Sequence, residues 1–399
     1  MYEVEIKSYD HKGRGIARIN EKIVFVEDAL IGEKVNVEII KDNKKYMEAK
    51  VIKRLETSKD RCNSNCMYYD KCGGCNISSL SYENQLKFKK EKVIDIFNKY
   101  LNMIINPDII KTSEYNYRNK IVLHVIDGKI GYYEKNTNKL VEIDKCLLAT
   151  ESINSIIKLI KDNLDLKEVS KIMIRNTYKE TMVAFDGTIN IDKLIKVLDI
   201  VDSIYVNDKL VKGKDRIIEK LGDYLFYISK DSFFQVNTKQ AYNLYNQVLE
   251  FANLNEKDIV LDLYCGTGTI GIFLSKYCKK VIGIEINKSA VEDANNNKKL
   301  NNINNIAFIN DTASIISKID NKANVVILDP PRSGLDKLTT NTLIENRVDK
   351  IVYVSCDPMT LARDIKNLRF VYEIKDIKIF DMFAQDYHVE TVILLELIK

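Results

Sequence analysis

Hydrophobic positions along the chain follow three different patterns in turn. Over residues 1–56, short β-branched segments recur at Glu3–Ile6, Lys22–Val26, Lys34–Ile40 and Met47–Val51. Turn signals at Gly13, Gly15 and Gly32 separate them, which predicts a small β-barrel. Barrels of this size often bind oligonucleotides through one face. The bland alternative is a capping domain with no ligand. Next, Tyr82–Leu101 shows helical spacing, with Leu86, Phe88, Val93, Ile94, Ile96 and Phe97 among Lys and Glu. Residues 112–230 mix both patterns. A hairpin is expected around Asp127-Gly128, and helices at Ile153–Leu164 and Ile191–Leu198. From about residue 236 the chain alternates helix and strand. After a helix at Thr238–Leu254, continuous apolar runs occupy Ile259–Leu263, Val281–Ile286, Val325–Leu328, Ile351–Val354 and Thr391–Leu397. Runs with no polar alternation read as parallel strands buried on both faces. The expected architecture is α/β. It has an oligonucleotide-fold-like β-barrel at 1–57, an α+β region with a cysteine cluster at 58–230, and a doubly wound domain at 231–399.

Composition narrows the function classes. The 399 residues carry 61 Lys+Arg against 57 Asp+Glu, with 45% hydrophobic residues. That is a core-forming composition. No run approaches the roughly 18 apolar residues that span a bilayer, and MYEVEIKSYD lacks an apolar signal core. A cytoplasmic protein with no membrane partner is expected, with a monomer as the default. The formal charge of +4 does not point to nucleic acid by itself. Residues 61–120, however, hold ten basic and six acidic side chains, an excess equal to the whole chain's. Lys87, Lys89, Lys90 and Lys92 cluster there on the expected helix. They read either as a solvated face or as part of an RNA-binding patch.

One stretch carries cofactor chemistry. Val260–Gly271 reads VLDLYCGTGTIG, a strand, a Gly-rich turn and a helix. The next strand ends in Glu285, an acid suited to accepting hydrogen bonds from both hydroxyls of a ribose. A nicotinamide cofactor uses a similar layout, but the full GxGxxG spacing is missing. The pattern is more typical of S-adenosylmethionine (SAM), so a Rossmann-like SAM-dependent methyltransferase domain is expected. Three further motifs stand at strand ends: LDPPRSG after 327, VSCDP around Cys356, and YHVE before the last strand. Ligands of open α/β sheets bind at such ends. Cys356 is the candidate nucleophile, since a thiolate is reactive even at low population. Glu390 is the candidate general base. Cys265 and Cys278 read as structural. A cysteine beside a methyl donor suits uracil: thiolate addition at C6 makes C5 nucleophilic, and a base later removes the C5 proton. A target base in folded RNA is flipped out to be reached.

Of eight cysteines, Cys66, Cys72 and Cys75 share the spacing C-x5-C-x2-C with Gly73-Gly74 inside. Cys146 is the best fourth partner, with Cys62 competing. Four sulfurs suit a [4Fe–4S] cluster or zinc. A free thiolate nucleophile and a thiolate-held cluster both require a reducing compartment.

On these residues the chain resembles the RNA (uracil-5-)-methyltransferases, specifically the iron–sulfur subgroup acting on 23S ribosomal RNA, over essentially its whole length. The resemblance implies that the barrel is a TRAM domain and that Cys66, Cys72, Cys75 and Cys146 hold [4Fe–4S]. It implies SAM contacts at Gln235 of Ser232-Phe-Phe-Gln-Val-Asn237, and at Tyr264, Glu285 and Asp329. Cys356 matches the nucleophile and Glu390 the proton-abstracting base. Tyr117-Arg118-Asn119-Lys120 fits a family motif near the RNA-facing region. Transfer RNA is the alternative substrate, and a non-catalytic RNA-binding assembly factor the alternative class. Three positions depart from the family pattern. Asp357 stands where Asn is usual, Phe383–Glu390 lacks the usual Pro and Thr, and Asn76–Ser79 replaces a Gln-rich segment.

Overall fold

The computed structural model describes residues 1–318 and 323–399. It comprises two compact units. One holds Met1–Val93, Tyr132–Val141 and Phe383–His388; the other holds Ile94–Gly131, Glu142–Met382 and Val389–Lys399.

In the first unit, the barrel strands are β1 (Tyr2–Glu5), β2 (Ser8–Tyr9), β3 (Gly15–Ile19), β4 (Lys22–Glu27), β5 (Lys34–Asp42) and β6 (Tyr46–Glu56). Their order in the sheet is β1-β5-β6-β4-β3-β2. Alternating residues point inward, and Val24, Val26, Val35 and Val37 are fully buried. A Cβ at Gly15 would lie 2.7 Å from the Ala29 carbonyl, so the chain passes there only as glycine. Glu33 is fully buried and accepts hydrogen bonds from the Leu30 amide (2.9 Å) and from Arg61 Nε and Nη2 (2.5 and 3.0 Å). This pair ties the barrel to the start of the cysteine segment.

Helix α1 (Tyr82–Leu101) follows, with the expected bounds. Its lysines are not a single exposed patch. Lys89 is fully buried and donates to the Phe383 carbonyl at 2.8 Å, while Lys92 donates to the Tyr387 carbonyl at 3.0 Å. Gln85 exchanges hydrogen bonds with Gln385, accepting from its amide and donating to its Oε1, both at 3.0 Å. Residues 85, 89 and 92 share one helical face. Thus two of the four clustered lysines clamp a loop. The altered stretch 383–387 is matched to this helix.

The first strand of the second unit is β7 (Asp108–Ile110). A mixed sheet follows, built from β8 (Lys120–Ile126), β9 (Lys129–Tyr133), β10 (Leu140–Glu142), β11 (Val169–Asn176), β12 (Thr181–Gly187), β13 (Ser203–Val206) and β14 (Lys209–Gly213). Helices α2 (Glu151–Asn163) and α3 (Ile191–Val197) are interleaved. The hairpin turn is at Asp127-Gly128, both left-handed with φ of 51° and 76°. A two-stranded ribbon, β15 (Arg216–Leu221) and β16 (Tyr224–Ser229), then leads to α4 (Thr238–Ala252).

The remaining elements are β17 (Ile259–Leu263), α5 (Thr269–Leu274), β18 (Lys280–Glu285), α6 (Lys288–Leu300), β19 (Ile306–Asn310), β20 (Val325–Leu328), α7 (Lys337–Asn346), β21 (Lys350–Ser355), α8 (Pro358–Leu368), β22 (Tyr372–Phe380) and β23 (Glu390–Leu397). The sheet order is β19-β18-β17-β20-β21-β23-β22-β7. The first five strands are parallel, as the apolar runs imply. β23 instead runs antiparallel between β21 and β22. Its first residue, Glu390, therefore lies at the edge where the parallel strands end. No helix among the described residues is long and apolar enough to cross a membrane.

Candidate active site

The Gly-rich turn after β17 is shaped by its backbone. Tyr264 is left-handed with φ 61°, an uncommon state for a residue with a side chain. Asp262 is fully buried and accepts from the Gly271 amide at 2.9 Å. A Cβ on Gly271 would sit 2.9 Å from that same carboxylate oxygen, so α5 packs on β17 only through glycine. The other oxygen, Asp262 Oδ1, is buried without a hydrogen-bond partner. Burial, the Asp329 and Glu285 charges raise the Asp262 carboxyl to about 7 against the Gly271 hydrogen bond. Glu285 turns back on the loop: its Oε2 accepts from the Gly266 amide at 3.1 Å and its Oε1 from the Asn287 amide at 2.8 Å. The space beside Gly266 is open. An orphaned buried acceptor and open space over the turn fit a small ligand bearing amine and hydroxyl groups, as SAM does. Tyr264 is half-buried, its hydroxyl 3.5 Å from both Asp336 Oδ2 and Thr339 Oγ1.

The Asn-rich helix α6 supports this turn. Asn297 donates to the Thr267 carbonyl at 3.1 Å and accepts from the Tyr227 amide at 2.8 Å. Asn301, one turn on, exchanges bonds with the Leu225 amide and carbonyl. Short amides thus satisfy the open edge of β16. No local signal marks them, because their partners are 30 to 76 residues away.

The segment carrying Gln235 is held by Arg175 of β11 and by Asn119, which precedes β8. Arg175 is buried and donates from Nη1 and Nη2 to the Ser232 carbonyl, both at 3.0 Å. Asn119 donates to the Gln235 carbonyl at 3.1 Å and to Thr238 Oγ1 at 2.9 Å. Asn237 caps α4 by accepting from the Gln240 amide. Gln235 itself is half-buried, while Phe233 beside it is 74% exposed.

The nucleophile and base candidates come together through strand register. β21 and β23 pair antiparallel up to Ser355 with Thr391. Cys356 directly follows Ser355 and Glu390 directly precedes Thr391, so the two flank the end of this ladder, and the Glu390 charge acts on the Cys356 thiol. Cys356 is half-buried and Glu390 is 6% exposed. Burial, reinforced by the Asp329 charge and opposed by Arg332, pushes the Glu390 carboxyl up to about 8. Burial also lifts Asp329, which follows β20, to about 7. The Cys356 thiol is pushed up to about 12 by burial, then by the Glu390 and Asp329 charges, with Arg332 opposing. Cys356, Glu390, Asp329 and Arg332 therefore form one electrostatic group. Perturbed groups concentrated at a sheet edge mark a functional site.

Asp357 has a structural role beside this group. Its Oδ1 caps α8, accepting from the Met359 and Thr360 amides at 2.8 and 3.0 Å, with Pro358 in the first turn. Asn and Asp serve equally well at such caps. The departure from the family's usual Asn thus conserves the helix start. Cys265 and Cys278 are each 7% exposed, and burial raises both thiols, as expected of structural cysteines.

The metal-ligand expectation has no such geometry behind it. Among the described residues, no three His, Cys, Asp or Glu side chains are gathered as metal ligands. Cys66, Cys72 and Cys75 lie in the first unit and Cys146 in the second. Cys62 donates to the Ser78 carbonyl at 3.7 Å, which employs it as a thiol.

A relative from Clostridium tetani, described as an uncharacterized RNA methyltransferase, is 36% identical, covering 99% of this chain and 96% of its own. Residues 192–398 match the family described as tRNA (Uracil-5-)-methyltransferase. The chain belongs to the RNA uracil-5-methyltransferases. Residues 1–52 of this methyltransferase match the TRAM domain. A Staphylococcus aureus relative, also described as an uncharacterized RNA methyltransferase, is 33% identical over 97% of this chain and 96% of its own. Among solved structures, the Pyrococcus abyssi tRNA (uracil-54, C5)-methyltransferase in complex with S-adenosyl-L-homocysteine superposes with a TM-score of 0.82. It is 28% identical, with 99% of this chain and 100% of that one covered. Uracil-5-methylation of RNA with SAM as donor is accordingly this methyltransferase's activity.

Proposed function

We propose that this chain methylates C5 of a uridine in 23S ribosomal RNA through a covalent Cys356 adduct. The observation that carries the reading is the placing of Cys356 and Glu390 at the same end of the β21–β23 ladder, where the Glu390 charge acts on the Cys356 thiol. Gln235, Tyr264, Glu285 and Asp329 would hold SAM, which would supply the methyl group to C5 and leave as S-adenosylhomocysteine. Cys356 forms a bond to C6 of the uracil as its thiol proton passes to a carboxylate of the group. The ring electrons then lie at C5. Glu390 takes the C5 proton after methylation, and the C6–S bond breaks to return the thiolate. Arg332 offsets the negative charge that this sequence gathers around Cys356.

A second reading, the same chemistry on transfer RNA, is favoured by the similarity to the Pyrococcus abyssi enzyme over the full length of both chains. Incubation with tritiated SAM and unmodified 23S or transfer RNA separates the two. Label at uracil C5 of 23S RNA is the expected result. Label confined to transfer RNA selects the second reading, and label that survives Cys356→Ala undiminished refutes the mechanism.

We also propose a four-sulfur metal centre on Cys66, Cys72, Cys75 and Cys146. Its support is the sequence spacing, together with the Gly74 amide directed at Cys72 Sγ from 3.4 Å, a contact that favours thiolate. Anaerobic purification is expected to yield brown protein with about four irons. Colourless, zinc-loaded protein refutes the iron assignment.

A further inference from the structure

The mixed sheet of the second unit has one face whose charges do not balance. On β8, alternation places Lys120, Val122 and His124 on the same side. Opposite them on β11 stand Arg175, Met173 and Lys171. Like charges directly opposite in a sheet are destabilising. Yet Lys120 faces Arg175, and Arg175 is committed to the carbonyls of Ser229 and Ser232.

Two neighbouring lysines are compensated by carboxylates. Lys171 pairs with Asp186 at 2.6 Å, and Lys230 with Asp208 and Asp231 at 2.8 and 2.7 Å. Lys120 is not. Among the described residues no carboxylate lies within ion-pair distance of its ammonium. Asp231 acts on it only from farther away, against Arg175 and Lys230. The amine is half-buried, and burial followed by the Arg175 charge lowers it to about 8. The face is also partly open, since Val122 and Ile126 are 38% and 40% exposed. A half-buried ammonium beside a second cation is stable only at a cost, and an anion removes that cost.

The position of Lys120 says which anion. Lys120 follows Asn119, whose amide holds the Gln235 carbonyl. We propose that Lys120, backed by Arg175, is a phosphate subsite that grips the RNA strand next to the segment carrying Gln235. This rests on the RNA-methylation reading and adds to it the point where the backbone is gripped. SAM has no phosphate, so a phosphodiester bound here belongs to the RNA. The SAM carboxylate is the competing anion, and the experiment separates the two.

The test uses the full chain, a labelled single-stranded oligouridylate and SAM, with no turnover required. For single strands each neutralised phosphate contributes about 0.7 to the salt slope of binding. Lys120→Met is expected to lower that slope by about 0.7 and weaken RNA affinity about fivefold at 0.1 M salt, with SAM affinity unchanged. Lys120→Arg restores the slope. Lys120→Met also relieves an uncompensated charge, so its melting temperature is expected to be no lower than wild type. An unaltered slope, or a loss of SAM affinity without loss of RNA affinity, overturns the proposal. A measurement on the wild type guards against a misfolded variant. Acetylation of Lys120 at pH 8 is expected to slow with RNA and not with SAM, and equal rates with and without RNA overturn it. A chain that binds RNA in this way but transfers no methyl group leaves the subsite standing and removes the catalytic reading.

Discussion

Cys356 and Glu390 flank the last pair of the β21–β23 ladder, Ser355 with Thr391, and the Glu390 charge acts on the Cys356 thiol. The two groups come from different strand ends 34 positions apart, and antiparallel pairing aligns them. Cys356→Ala is expected to reduce methyl transfer by on the order of 10³-fold or more. Binding of RNA, measured at equilibrium, is expected to persist.

Glu390→Gln separates the two halves of the reaction. Addition and methyl transfer proceed, but the C5 proton stays, so the C6–S bond is not released. A protein–RNA adduct containing the transferred methyl should accumulate on denaturing gels. Absence of any adduct, with activity retained, rules out Glu390 as the base.

Proton binding gives a stability signature. Burial raises Asp262 and Asp329 to about 7 and Glu390 to about 8, well above ordinary carboxylates near 4. Between those values the folded state holds more protons than the unfolded one. Stability therefore falls as pH rises through 7 and 8. Thermal melts of the ligand-free protein should give a higher Tm at pH 6 than at pH 8.5, and Asp329→Asn with Glu390→Gln should flatten the difference. Activity runs the other way, rising toward pH 8 as Glu390 ionises.

The cap beneath the nucleophile predicts a split between two substitutions. Asp357→Asn keeps the acceptor for the Met359 and Thr360 amides, so melting should be nearly unchanged. Asp357→Ala loses it and is expected to cost about 1 kcal/mol in a denaturant titration.

Gly271→Ala places a methyl 2.9 Å from Asp262 Oδ2. The carboxylate must shift or α5 must lift from β17. SAM affinity, measured by calorimetry, is expected to fall about tenfold or more, in line with a core overpacking cost of about 1–3 kcal/mol.

Legibility in the sequence followed burial. β17 and β20 have the bounds their apolar runs imply, because both are buried on two faces inside the sheet. β19 lies at the sheet edge and β22 near the other, and their sequences IAFIN and YEIKDIKIF mix polar positions among apolar ones. Neither reads as a continuous apolar run, so neither was visible beforehand. Strand-end motifs around Asp329, Cys356 and Glu390 were legible because each is contiguous. Arg175 and Asn297 were not, because each bonds backbone carbonyls of distant segments and leaves no local pattern.

Because β23 lies between β21 and β22, the sheet cannot close around a shorter chain. A polypeptide halted on the ribosome before residue 390 already holds Cys356 but lacks both its opposing acid and the strand that seats it. On the proposed mechanism, truncated products are expected to be inert rather than half-active: they would neither methylate RNA nor remain bonded to it as a stalled conjugate.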